Sequence, residues 1–211
     1  MDLSAIETLC EQFVMEQAPA DAAHDIAHVR RVVENARQIT RMENANPLVT
    51  IPAAWLHDCV AVAKDDPRRK LASGLAAGAA VTYLTETHYP EDLLDDVYHA
   101  IEAHSYSAAI PTRTLEAKVV QDADRLDSLG AVGVARCLLV GGRLDRPLMS
   151  TDDPFCDERE PDDSQFTIDH FYAKLFKLPA TMQTVAGRVV AEQRAQVMRD
   201  YLNTLKSEIG L

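Results

Sequence analysis

The sequence predicts an all-α fold, and three observations predict it. Apolar residues recur at steps of three and four along most of the chain. No strand-type alternation persists long enough to suggest a sheet. Helix-breaking residues such as Pro19, Pro47, Pro90 and Pro111 fall at the borders of the periodic segments.

The elements follow in order. Residues 2–17 form an amphipathic opening helix, with Ile6, Leu9, Phe13 and Val14 at helical spacing, and Pro19-Ala20-Asp21 breaks it. A long helix covers 22–43, its apolar positions Ile26, Val29, Val33 and Ala36 stepping by three and four, and Asn44 to Pro47 stops it. Ile51 to Val62 reads as a short, strongly apolar helix interrupted by His57 and Asp58. Lys64 to Lys70 is a polar loop, 71–88 an Ala-rich helix, and 91–104 the helix that Pro90 opens. Pro111-Thr112 opens another, running to Gly130, and 131–140 reads as a buried apolar helix closed by Gly141-Gly142. Residues 143–166 hold three prolines and many acids and read as a long loop, of the kind that is uncommon in compact domains unless functional or mobile. Helices at about 167–177 and 180–207 finish the chain.

Composition bounds the rest. The chain has 211 residues, 47% apolar and 26% charged, which suits a single globular domain with a sizeable core. Its 33 acids against 21 bases leave a formal charge of −12. Such acidity argues against long nucleic acids and anionic membranes, which need clustered positive charge. Residues 152–163 hold seven acids against one base, Arg159, a net −6 and half of the −12. That concentration leaves a locally positive pocket for a small anion compatible with the total. No signal peptide and no membrane-length apolar run is visible. Cys10, Cys59, Cys137 and Cys156 form no CxxC pair, which suits reduced thiols in the cytoplasm.

Four polar features interrupt the apolar helices. They are His24-Asp25-Ile26-Ala27-His28, with its two histidines on one helical face, His57-Asp58, His104, and Asp122-Ala123-Asp124-Arg125-Leu126-Asp127. Singly, each has a plain structural explanation. A histidine on a buried face is ordinarily a hydrogen-bonded core residue, and acids on a helix are ordinarily solvated. Together they point further. Asp58 sits beside Trp55, Leu56, Cys59 and Val60, where a charge needs a partner. A divalent cation among imidazoles and carboxylates would supply it, and mixed N/O ligation suits Mn, Fe, Ni, Zn or, less well, Mg. No phosphate-binding glycine loop and no GxSxG elbow competes with this reading.

The ordered set His28, His57-Asp58, Asp124 resembles the H…HD…D signature of the HD-domain superfamily of metal-dependent phosphohydrolases. The flanks strengthen it: His28-x-x-Arg31-Val32, Ala54-x-x-His57-Asp58 and Ala123-Asp124-Arg125-Leu126. More narrowly the chain is similar to the YedJ-like bacterial subgroup. That likeness extends through Ala103 to Ser107, Gly130 to Arg136, Asp152 to Phe155 and Leu178 to Thr184. The resemblance implies a helical bundle, the whole of 1–211 being one HD domain with its core at about 22–140. It implies that His28, His57, Asp58 and Asp124 hold one divalent ion. Asp122 and Asp124 lie roughly 200° apart on a helix and do not both face one ion; the Ala-Asp-Arg-Leu pattern favours Asp124. Asp127 shares the face of Asp124 and, with His24, reads as an orienting neighbour.

The activity this implies is hydrolysis of a small anionic phosphorylated substrate, a nucleotide or phosphomonoester, by metal-activated water. Asp58, Lys64 and His104 are the catalytic candidates, and Lys64, Arg125 and His104 the groups that meet the phosphate. Arg68 and Arg69 are further cations, although Lys64 to Lys70 equally suits a solvated loop. His88 and His99 read as structural or surface residues, and His170 receives no role. The absence of a GYP-like motif argues against cyclic dinucleotide cleavage. Rival readings are a nucleoside triphosphate pyrophosphohydrolase and a non-catalytic HD-type binding module. The resemblance leaves room for a homodimer.

Overall fold

A computed structural model describes residues 2–16, 26–60, 62, 66, 70–105 and 108–211. The chain is all-α, with no strand among the described residues. It divides into two compact units, Met1–Asp124 with Gln183–Ala186, and Arg125–Met182 with Gly187–Leu211. No helix among the described residues is long and apolar enough to cross a membrane.

The first unit holds α1 (Leu3–Glu16), α2 (Ile26–Glu43), α3 (Pro47–Leu56), α4 (Ala72–Glu86), α5 (Leu94–Glu102) and most of α6 (Leu115–Leu126). Helix α3 is its centre: every residue from Val49 to Leu56 is buried, and α3 packs on α1, α2, α4 and α5. Its borders differ from the sequence expectation of Ile51 to Val62. Pro47, read there as a stop, is the first residue of the helix, because Asn46 caps it by accepting from the Leu48 N–H at 3.0 Å. The helix ends at Leu56, so His57 and Asp58 sit in the turn that follows it. Pro52 lies inside the helix and lacks the N–H that the Leu48 carbonyl would accept; the Tyr89 hydroxyl donates to that carbonyl instead. Small residues Ala76, Ala77 and Ala80 on α4 are buried, and α4 packs against α5. Asn44 and His88 take left-handed backbone (φ 54° and 59°) just past α2 and α4, where helices commonly end.

The second unit holds α7 (Gly130–Arg143), α8 (Asp169–Ala173) and the greater part of α9 (Val185–Glu208). Phe171, Ile168, Leu129 and Met198 are fully buried in it, and Phe171 stacks on Tyr201 at 6.4 Å. Three expectations are corrected. Helix α7 is amphipathic rather than buried throughout: Val132, Leu139 and Val140 are exposed. Gly141-Gly142 lies within it rather than closing it, because Gly141 is a contact point: a Cβ there would meet Thr167 Oγ1 at 2.2 Å. The expected helix at 167–177 is α8 followed by a 3-10 turn, Leu175–Lys177.

The acidic segment is ordered by its own acids. Asp153 accepts from the backbone N–H groups of Asp157, Glu158 and Arg159 at 2.9–3.0 Å. Asp162 accepts from the Ser164 N–H and hydroxyl and from Gln165. Arg159 reaches buried Asp169, with Nη2 donating to Oδ1 at 2.7 Å, and its guanidinium lies 5.0 Å over the Phe166 ring.

Candidate metal centre

Five of the side chains singled out in the sequence meet within the first unit. His28 comes from α2, His57 and Asp58 from the turn after α3, His104 from the turn after α5, and Asp124 from α6. His28 Nε2 lies 3.6 Å from Asp124 Oδ1, and His57 Nε2 lies 4.0 Å from the same oxygen. His57 Nε2 is 3.6 Å from Asp58 Oδ2, and His104 Nε2 is 3.6 Å from Asp58 Oδ1. The ligand atoms of His28, His57 and Asp58 all fall within 4.8 Å of one another.

Backbone carbonyls orient two of the rings. His57 Nδ1 donates to the Ala54 carbonyl at 2.8 Å, and His104 Nδ1 donates to the Ile101 carbonyl at 2.6 Å. A carbonyl only accepts, so each Nδ1 carries its proton and each Nε2 is turned into the cluster. Burial is the largest influence on His57 and holds its pKa below the usual imidazole value, against the opposing charges of Asp58 and Asp124. The ring is therefore neutral near pH 7, and its Nε2 carries a lone pair. That atom is buried and has no hydrogen-bond partner among the described residues. For His104 burial is again the largest single influence and lowers the pKa. The Asp58 hydrogen bond with the Asp58 and Asp124 charges outweighs it, and the pKa is raised.

Burial is distributed differently from the sequence expectation. His28, His57 and His104 are the buried members, whereas the side chains of Asp58 and Asp124 are 35% and 30% exposed. The reading of Asp58 as a carboxylate enclosed by apolar neighbours is thus corrected: ending α3 at Leu56 swings Asp58 out to one side of the cluster. Three imidazoles are buried and two carboxylates are partly open to water.

The neighbouring acid on α6 is engaged elsewhere. Asp122 is fully buried and accepts from the Gln183 N–H, the Thr184 N–H and the Thr184 hydroxyl at 2.7–3.1 Å. Sequence reasoning missed two buried amides that hold the frame. Asn35 donates to the Ala123 carbonyl at 3.0 Å, tying α2 to the turn of α6 that bears Asp124. Gln121 donates to the Ala103 carbonyl at 2.8 Å, next to His104. Their polarity on otherwise apolar helix faces was the one available signal.

The remaining sequence candidates have other partners or fall outside the described residues. His24, Lys64, Arg68 and Arg69 fall outside the described residues. Arg125 and Asp127 belong to the second unit. There Arg125 Nη1 donates to the Thr181 carbonyl at 2.6 Å, and buried Asp127 pairs with Arg136. His99 accepts from the Arg113 N–H at 2.9 Å and bonds Glu102 at 3.0 Å. His170 bonds Asp163 at 2.6 Å.

Comparison with known proteins agrees with this geometry. The HD domain pattern matches residues 25–129. The uncharacterized protein YpgQ of Bacillus subtilis is 31% identical over 192 residues, spanning 89% of this chain and 85% of that one. The crystal structure of Bacillus subtilis YpgQ in complex with ADP is similar with a TM-score of 0.71 and 30% identity, covering 99% of this chain and 95% of that one. An HD-superfamily hydrolase from Bacillus thuringiensis is similar with a TM-score of 0.74 and 28% identity, covering 99% and 97%. Helical architecture, the His28, His57-Asp58, Asp124 cluster and these relatives lead to one conclusion: the chain belongs to the HD domain family.

Proposed function

We propose that this protein is a metal-dependent phosphohydrolase acting on a small phosphorylated substrate, a nucleotide or a phosphomonoester. The observation that carries the proposal is His57 Nε2, a buried lone pair with no hydrogen-bond partner among the described residues, facing two carboxylates and a second imidazole. Leaving such an atom unsatisfied costs about 1–3 kcal/mol, which a bound cation offsets. His28, His57, Asp58 and Asp124 would hold the ion, and their mixed N/O set suits Mn, Fe, Ni or Zn better than Mg. A divalent ion there supplies Lewis acidity toward a phosphoryl oxygen and lowers the pKa of water.

The chain's own groups do the rest. Asp58 Oδ1 steadies His104 Nε2, and a raised pKa keeps that ring inclined to carry a proton. A charged imidazole beside the partly open carboxylates neutralises phosphate charge and offers a proton to the leaving oxygen. Lys64 is the further proposed phosphate-binding cation, and His24 the proposed orienting neighbour.

The ADP complex of the YpgQ relative supports a nucleotide over a simple ester, and among nucleotide reactions the rival reading is a nucleoside triphosphate pyrophosphohydrolase. One experiment tests both: metal analysis of the purified protein, then a substrate panel with added Mn in which orthophosphate and pyrophosphate are assayed separately. Orthophosphate release supports phosphomonoester cleavage, and pyrophosphate release supports the second reading. A protein that binds no divalent ion, and whose function survives His57→Ala and Asp58→Ala, defeats the metallo-hydrolase reading and favours a binding module.

A further inference from the structure

The second unit contains a cavity of about 400 Å³ that belongs to no group discussed so far. All of its lining residues fall within that unit, and none is a member of the His28, His57, Asp58, Asp124 cluster. The volume lies within the range of small-molecule clefts, roughly 300–1,000 Å³.

One wall is apolar. Val140 and Leu144 line it from the last turns of α7 and the residue after it, and Leu175 lines it from the 3-10 turn after α8. Val140 is 37% exposed and Leu144 58%, so apolar surface stands open to water at this place. Cys137 contributes a neutral thiol, since burial pushes its pKa up to about 11 against the opposing charge of Arg146.

The polar groups divide unequally. Arg136 is answered by Asp127, and His170 bonds Asp163 at 2.6 Å. Arg146 is different: its guanidinium makes no hydrogen bond or ion pair with any described residue. Its backbone is nevertheless fixed, the N–H donating to the Gly141 carbonyl at 3.0 Å and the carbonyl accepting from the Thr167 hydroxyl at 3.3 Å. An anchored backbone, a half-buried guanidinium with no partner among the described residues and an adjoining apolar wall suit a molecule that is apolar at one end and anionic at the other.

We propose that this cavity binds a small amphipathic carboxylate, its head on the Arg146 guanidinium and its aliphatic body against Val140, Leu144 and Leu175. A polyphosphate suits it poorly, because one unengaged guanidinium in a cavity that the Asp163 carboxylate also lines offers too little positive charge. The site is independent of the metal cluster, and its test needs neither metal nor turnover.

The probe is octanoate, titrated below its micellar limit into the uniformly ¹⁵N-labelled full chain. The expected result is saturable amide shifts concentrated in residues 133–146 and 163–175. Octanamide, equal in length and uncharged, is expected to bind about tenfold more weakly, the worth of a charge-assisted contact. Arg146→Gln is expected to weaken octanoate about tenfold and leave octanamide unchanged, with its melting curve confirming the fold. Absence of saturable shifts overturns the proposal. So does equal binding of octanoate and octanamide by the wild-type chain, a comparison that depends on no variant. Shifts spread outside the lining residues, or unchanged octanoate affinity in Arg146→Gln, overturn it as well.

Discussion

Asp122 and Asp124 stand two residues apart on α6 and serve different partners. Asp122 accepts from the backbone of Gln183 and Thr184, while Asp124 Oδ1 lies 3.6 Å from His28 Nε2. The two acids should therefore fail differently. Asp122→Ala strands buried N–H groups and is expected to lower stability by about 2–4 kcal/mol while leaving the divalent ion bound. Asp124→Ala, at a side chain 30% exposed, is expected to abolish metal binding with a stability change under about 1 kcal/mol. Paired metal analysis and thermal melts separate these outcomes; loss of metal from Asp122→Ala would reverse the assignment.

His104 meets the cluster at Asp58, 3.6 Å from its Oδ1, and at the edge of the His57 ring, 4.9 Å between centroids. His104→Ala is expected to keep the metal and lose about 10²–10⁴-fold in kcat, the range for a positioned acid or base. Steady-state kinetics at saturating metal, with metal content measured on the same sample, checks this. A variant that loses the ion would make His104 a ligand.

The Arg159–Asp169 pair predicts an acid limb in stability. Burial alone would raise the Asp169 pKa and is the largest single influence. Its hydrogen bonds from Arg159 and the Asp162 N–H together outweigh burial and hold the pKa below the ordinary carboxylate value. The unfolded chain therefore binds this proton more readily. The stability contributed by the pair is present above about pH 4 and is lost as pH falls through the lower folded pKa. Asp169→Asn is expected to cost about 3 kcal/mol, the lower end for breaking a buried pair, because Arg159 is 25% exposed. Its melting temperature should vary less with pH below 4 than that of the wild type, and parallel acid limbs would refute the account.

Thiol chemistry should be slow throughout the native chain. Burial pushes the Cys10 and Cys59 thiols up to about 12 and those of Cys137 and Cys156 to about 11. Ellman's reagent at pH 8 is expected to count almost none in the folded protein and all four after denaturation. A rapid native reaction would contradict the packing around at least one of them.

Gly141 is expected to resist enlargement. A Cβ there would lie 2.2 Å from Thr167 Oγ1, so Gly141→Ala forces α7 or the Thr167 backbone to move. A loss of about 1–3 kcal/mol is expected, where a free helix surface would gain from the same change. Chemical denaturation measures the sign directly.

Most helices were legible because their signal is local. The three-and-four steps of Ile6 to Val14 and of Ile26 to Ala36 lie inside α1 and α2. Borders were less legible where one residue type serves opposite ends. Pro47 reads as a stop until Asn46 is seen to cap the helix that Pro47 begins. Half of α7 faces water, which its composition alone does not reveal. In the candidate site, the ordered set of His28, His57, Asp58 and Asp124 stood out, and the structure places their ligand atoms near one another. The roles of Asn35, Gln121 and Asp122 were not legible. Each depends on a backbone group 88, 18 and 61 positions away, and no local pattern encodes such a meeting.

His57 and His104 share one device: each gives its Nδ1 proton to a carbonyl near the end of a helix, Ala54 of α3 and Ile101 of α5. Proton placement in the cluster is thus set by where two helices end, with no intermediary side chain to drift or be replaced. A one-residue extension of either helix would disturb it at once. The geometry of this centre therefore rests on the lengths of α3 and α5 as well as on the side chains that meet in it.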